Sequence, residues 1–418
     1  MNSAPQVNIE VLQRELDQLA AISESPPPVV TRVLFSAADL KARAHVKGLC
    51  REAGLTLRED AVGNTFARWP GRDPALAPVA TGSHIDAIPN AGRYDGVVGV
   101  LGAIEAIRAL KRAGFEPRRA IELIIFTAEE PTRFGIGCVG SRMLAGSLSL
   151  EKAAALRDGQ GKSLEELRRE AGFGEHDLRQ VQLAPNCYAA FVELHIEQGP
   201  LLEREGIPVG VVERIAAPST LRLQLTGVGG HAGAMLMPER HDALLAGAEI
   251  ALAVEQAATT SGSPDTVGTT GVFRIKPGAV NSVPCRAWLE IDLRDTQVST
   301  RDAALGRIEN SVDQICKQRG VSFQLQRLNV DAPAICDPRL VQTVAGVCAE
   351  LKLPAKKMVS RAYHDTLFMA QVCPATMIFI PCRGGVSHRP DEYSSPEQIR
   401  RGVEVLALTL ARLAQAAA

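Results

Sequence analysis

Residues 79–99, VATGSHIDAIPNAGRYDGVVG, constrain this chain more than any other stretch. Val79-Ala80-Thr81 is a short apolar or β-branched run that reads as a buried strand. His84, Asp86 and Asp95 follow in a segment that also holds Pro89, Asn90 and Gly92, the residues of a loop. Residues 96–114 then carry apolar side chains at 97, 98, 100, 101, 104, 107 and 110, a helical stripe. The next strand, residues 121–126, runs into Thr127-Ala128-Glu129-Glu130. Strand, helix and strand at this spacing form a right-handed βαβ unit. It sets His84, Asp95 and the Glu129–Glu130 pair at the carboxyl edge of a parallel sheet, where open α/β sheets build their sites.

Imidazole and carboxylates gathered there point to a divalent metal rather than to a nucleophile. Taken singly, each residue has a plain structural reading: Asp95 as a helix cap, the two glutamates as a solvated strand end, His84 as a core histidine. Taken together, they need a counter-charge, and a cation supplies it.

Composition narrows the partners. At 418 residues the chain suggests two domains, and 46% hydrophobic residues suffice for large cores. The net charge is −1 with Lys and Arg scattered, so neither nucleic acid nor an anionic membrane is expected as partner. The nine cysteines are dispersed without a CxxC pair, which argues against a disulfide framework and for a reducing compartment. No apolar run reaches the roughly 18 residues of a membrane span. With no signal-like N-terminus, the expectation is a soluble, cytoplasmic protein.

Along the chain, helices are predicted over 9–22 and 37–53, and strands over 55–57 and 64–69, ahead of the βαβ unit. Residues 150–171 read as one solvated helix. Residues 190–195 form a strand whose far end carries His195, Glu197 and Gln198, so His195 can join the cluster by the same sheet-edge reasoning. Between about 213 and 332 the pattern turns to period-two strands (219–226, 286–294, 322–326) with helices at 243–258 and 302–319. That is a small α+β domain with helices over one antiparallel face. Residues 340–351 (helix), 375–380 (buried strand) and 396–416 (helix) return to the earlier style, so the small domain is an insertion. The expected fold is α/β, a mostly parallel-sheet domain with an inserted α+β domain: 1–214 and 331–418 for the first, 215–330 for the second.

The set TGSHID…YDG, TAEEPTRFG, ELHIEQGP, GVGGHAG, PGAVNSVP, DLRD and SHRPDEYSS resembles the M20 metallopeptidase superfamily. Within it the match is to the branch of N-carbamoyl-L-amino-acid hydrolases, allantoate amidohydrolases and ureidoglycolate amidohydrolases. EEPTRFG and the C-terminal SRAYHDTLFMA and SHRPDEYSS look most like the ureidoglycolate-cleaving members. The resemblance implies a metal-dependent hydrolase that releases ammonia from a small ureido acid, late in purine-ring catabolism. It also implies two divalent ions, with Mn²⁺ favoured and Zn²⁺ compatible with the same ligands. His84, Asp95 and His195 would hold one ion, and Asp95, Glu130 and His388 the other, with Asp95 bridging. Asp86 would hold the His84 ring, and Glu129 would be the general base. Successive residues at a strand end point to opposite sides, which would let the two glutamates divide these tasks.

His231, from the inserted domain of a partner subunit, would stabilise the oxyanion, making the protein a homodimer through that domain. Arg294 resembles the family's carboxylate clamp. Asn281 and Gln198 suit a ureido group, and His364 lies in a second motif, against substrate or behind a ligand. His45, His176 and His241 fall outside the motifs. Where relatives carry glycines before the His-Asp pair, this chain has Arg361-Ala362-Tyr363, which would narrow the pocket toward a short, oxygen-rich acid such as ureidoglycolate. An M20 dipeptidase or deacylase is the neighbouring reading, disfavoured because those relatives place a carboxylate where His195 stands. A non-catalytic small-molecule binding protein is the different-class reading, disfavoured because such a protein has no use for the base Glu129.

Overall fold

The computed structural model describes residues 5–416. The chain divides into two compact units: one takes residues up to 213, 335–358 and from 364 onward, the other 214–334 and 359–363.

The larger unit is built on a nine-stranded mixed sheet. Its centre is four parallel strands in the spatial order Ala375–Ile380, Ala190–Ile196, Val79–His84 and Ile121–Phe126. These segments are buried along their whole length, as strands covered on both faces must be. Register aligns their ends, with His84 opposite Phe126 and His195 opposite Phe379. All four carboxyl ends therefore meet at one edge. Antiparallel strands flank this centre, Thr65–Trp69 beside Ile121–Phe126 and Val209–Ile215 beside Ala375–Ile380. Phe66, Ile124, Phe126, Phe191, Val139, Met143 and Met369 share one apolar core.

Three local expectations are corrected here. The segment between His84 and Asp95 is not all loop: Ala87–Ala91 pairs antiparallel with Val30–Arg32. The helix expected over 150–171 is two short ones, Leu150–Ala155 and Leu164–Glu170. Asp158 Oδ1 accepts the amides of Gln160 and Lys162 and turns the chain, and Ser163 and Glu166 form a capping box that restarts the helix. Nor is that helix merely a wet face, since Arg168 is buried and donates to the carbonyls of Ala61 and Phe173.

The smaller unit is a four-stranded antiparallel sheet, ordered Val267–Lys276, Arg286–Asp295, Ala217–Thr226, Ser322–Val330. Leu221, Leu223, Leu225, Leu289, Ile291 and Leu293 face a core shared with the helices Ala243–Thr259 and Val298–Arg319. Val267–Lys276 escaped the period-two reading because the ladder slips between Thr270 and Val272, at Gly271, and inverts the alternation there. Among the described residues no helix is long and apolar enough to cross a membrane.

Candidate metal centre

His84 and His195 end adjacent strands of the larger unit, and both are buried. His84 Nδ1 donates to the Asp86 carbonyl at 3.0 Å, and His195 Nδ1 to the Ile196 carbonyl at 2.8 Å. Each ring is thereby set in the tautomer with its lone pair on Nε2, the form a metal-ligating imidazole needs, and the Nε2 of His195 accepts the Gly96 amide at 3.0 Å. Both Nε2 atoms face Asp95 Oδ1, at 3.7 Å from His84 and 3.1 Å from His195. The other oxygen, Oδ2, lies 3.2 Å from His388 Nε2, which is also 3.3 Å from Glu130 Oε1. Of three groups of ligand-type side chains among the described residues, two, His84–Asp95–His195 and Asp95–Glu130–His388, share this carboxylate, and the third is Glu193–His195–His364.

Gly96 makes the approach possible. Its φ is +65°, and a Cβ there would lie 2.4 Å from His84 Nε2. The donor set fits divalent ions: three imidazoles that turn Nε2 toward the site and two carboxylates, packed where acids otherwise repel. Burial alone would raise Asp95, but the imidazoles of His195, His388 and His84 around it hold it well below the usual carboxylate range. His388 is raised to about 11 by its hydrogen bonds to Asp95 and Glu130. Glu129 goes the other way. Burial, with Glu130 and other acids nearby, pushes it well above the ordinary carboxyl value despite the opposing His84.

Glu129 Oε2 stands 3.7 Å from His84 Nε2, and Cys138 Sγ donates to Oε1 at 3.6 Å. Strand alternation does not separate the two glutamates, as the sequence suggested. The strand ends at Phe126, and Ala128 turns the chain at φ +55° before them. Asp86 also differs from expectation. Its carbonyl, more than its carboxylate (3.6 Å), meets His84, while the carboxylate accepts the amides of Glu129 at 3.3 Å and Glu130 at 3.0 Å. It positions the acidic loop.

Gln198 lies beside the cluster, with Nε2 donating to Asp95 Oδ2 at 2.7 Å and to Ser387 Oγ at 3.2 Å. Its Oε1 is buried without a hydrogen-bond partner among the described residues. His364 is buried with its ring 4.5 Å from that of His195 and 5.7 Å from Phe379, and groups with Glu193 and His195. Sequence reasoning passed over Glu392 and Ser387, which touch Asp95 or its backbone, although both lie in the SHRPDEYSS motif.

His231, Asn281 and Arg294 belong to the smaller unit. His231 is exposed, and its Nδ1 accepts the Gly233 amide at 3.2 Å, leaving the proton on Nε2. Asn281 is exposed beside it, its carbonyl accepting the Ala232 amide. The Arg294 fork is engaged by Asp292 at 2.7 and 3.1 Å, and its guanidinium stacks 5.2 Å from the Tyr363 ring centre. Arg361 pairs with Asp265 at 2.5 Å in the same unit.

A parallel-sheet domain with imidazoles and carboxylates at its carboxyl edge defines a metallohydrolase class. Residues 80–412 match the model of peptidase family M20/M25/M40, and the chain belongs to that family, in its carbamoylase and allantoate amidohydrolase branch. It is 53% identical to a ureidoglycolate hydrolase of Arabidopsis thaliana, over 99% of this chain and 88% of that protein. Identity to the N-carbamoyl-L-amino acid amidohydrolase of Geobacillus stearothermophilus is 38%, over 97% and 98% of the two chains. Crystal structures of AtUAH in complex with glyoxylate and in complex with (S)-hydroxyglycine superpose with a TM-score of 0.93, at 53% identity over 99% of both chains.

Proposed function

We propose that this protein is a metal-dependent amidohydrolase of ureidoglycolate. The observation that carries the catalytic part is Asp95, buried and turning one oxygen to His84 and His195 and the other to His388, with Glu129 beside His84. The substrate reading is supported by AtUAH, whose two ligands form a chemical series. Hydrolysis of ureidoglycolate to ammonia and a carbamate, which loses CO₂, leaves hydroxyglycine, and loss of ammonia from that leaves glyoxylate.

His84, Asp95 and His195 would hold one ion, and Asp95, Glu130 and His388 the other, with Mn²⁺ favoured. Ions bound there would supply a more acidic water and a polarised scissile carbonyl. Glu129 takes the proton of the attacking water and returns it to the departing ammonia. Its raised protonation range suits that exchange. The partnerless Gln198 Oε1 is an acceptor for the ureido NH₂, and Asn281 serves the same group. Arg294 takes the substrate carboxylate, and His231 of the partner subunit directs its Nε2–H at the oxyanion. This last role makes the enzyme a homodimer through the inserted domain, residues 215–330. All nine cysteines are free, which fits a reducing, cytoplasmic setting.

Tyr363 and Arg361 are the groups proposed to favour a short, oxygen-rich acid. The test is ammonia release by chelator-stripped protein with Mn²⁺ or Zn²⁺ restored, offered ureidoglycolate, allantoate and an N-carbamoyl-L-amino acid. Turnover strongest on ureidoglycolate with Mn²⁺, and a preference relaxed by Tyr363→Gly, is the expected result. A preference for another ureido acid refutes the substrate, and no turnover with any metal refutes the activity.

A further inference from the structure

The two ligand groups are supported differently. His84 and His195 stand on adjacent buried strands. His388 stands on a loop, is 46% exposed on its side chain and has a φ of +59°. Something must fix that loop against the one that brings Asp95.

Glu392 does so. It is 4% exposed, and its Oε1 accepts the amides of Tyr94 at 2.7 Å and Asp95 at 3.1 Å. Its Oε2 lies 2.9 Å from Ser387 Oγ, which is 2.8 Å from Asp95 Oδ2. The Glu392 amide donates to the Arg389 carbonyl, closing the turn that directly follows His388, and the Tyr94 and Tyr393 rings meet edge to face at 6.2 Å. Gly92 leaves room for this carboxylate, because a Cβ there would sit 2.4 Å from Glu392 Cβ and 2.5 Å from its Oε1.

We propose that Glu392, seated by Gly92, is a positioning residue for one ion of the pair, the one held by Asp95, Glu130 and His388. This rests on the reading of those three as ligands. Removing the clamp frees the His388 loop and the Asp95 backbone together while leaving His84 and His195 on their strands. The effect is therefore unequal: the ion of Glu130 and His388 loses the support of two ligands, the other only that of the shared Asp95.

Calorimetric titration of chelator-stripped protein with Mn²⁺, without substrate, tests it. Wild type takes two ions. Glu392→Ala weakens one of them by about 10–100-fold, the usual cost of losing a group that orients a ligand, and weakens the other less. Glu392→Gln restores the affinity, because its amide oxygen accepts both backbone N–H groups and its Nε2 donates to Ser387 Oγ. Ser387, with one proton and two carboxylate oxygens beside it, then gives that proton to Asp95. Gly92→Ala keeps the carboxylate but displaces it, and reproduces Glu392→Ala even if that variant does not fold. Wild-type affinity for both ions in Glu392→Ala or Gly92→Ala, or equal weakening of both, overturns the proposal. Because no substrate is present, a wild type that binds two ions yet hydrolyses no ureido acid would refute the substrate reading alone.

Discussion

Glu129 shows most directly how one residue's surroundings set its work. It is buried among Glu130, Asp365 and Asp95, which favours its neutral form, yet it touches His84 and the Cys138 thiol, which hold it in place. A carboxyl group whose protonation range is raised in this way holds an accepted proton more readily than an exposed glutamate. Replacing it by Gln keeps the shape and removes the base. Glu129→Gln is expected to lose about 10²–10⁴-fold in kcat, with KM and the two-ion stoichiometry retained; steady-state kinetics with metal analysis checks both. Asp95 lies at the opposite extreme, an acid kept ionised by three imidazoles. The two were alike in the sequence, and only their neighbours part them.

Turns and caps carry the element-scale consequences. Asp60 closes the connection between the strands Thr56–Glu59 and Thr65–Trp69, accepting the amides of Val62 and Asn64 and the Asn64 side chain. Burial raises it from 3.8 to about 6 against those hydrogen bonds. A folded-state value above the unfolded one means that its stabilisation is complete below about pH 3.8 and is lost as the pH rises through about 6. The Tm of wild type relative to Asp60→Asn should therefore fall between pH 4 and 7, and a difference constant over that range in scanning calorimetry would contradict the assignment. At the other end of the chain, Ser395 and Gln398 form a capping box on the helix Pro396–Gln415. Ser395→Ala should cost about 1 kcal/mol of stability without changing kcat, as read by urea unfolding and kinetics. Elements with short, mostly apolar runs, such as Ile121–Phe126 and Ala375–Ile380, were legible from sequence to the residue. The strand Val267–Lys276, with its bulge at Gly271, and the divided helix after residue 150 were not, because local turns reset the periodicity on which such reading depends.

For the molecule as a whole, ions bound at the candidate centre would also stabilise the fold. Five ligand-type side chains come from segments as distant as residues 84 and 388, so ions bound to the fold and not to the unfolded chain add stability by mass action, about 2.7 kcal/mol at 100 times Kd. Chelator should lower the Tm by several degrees and Mn²⁺ should restore it, whereas an unchanged Tm would mean that no ion bridges these segments. Sequence alone determined the βαβ unit, the inserted α+β pattern and the residue types of the cluster, since hydrophobic periodicity and ligand chemistry are local properties. It also led, through its motifs, to the M20 family. Only the tertiary structure decided what Asp86 holds, where the glutamates turn, and that Glu392 grips Asp95. Those contacts join residues up to about three hundred positions apart, through hydrogen bonds that no local pattern encodes.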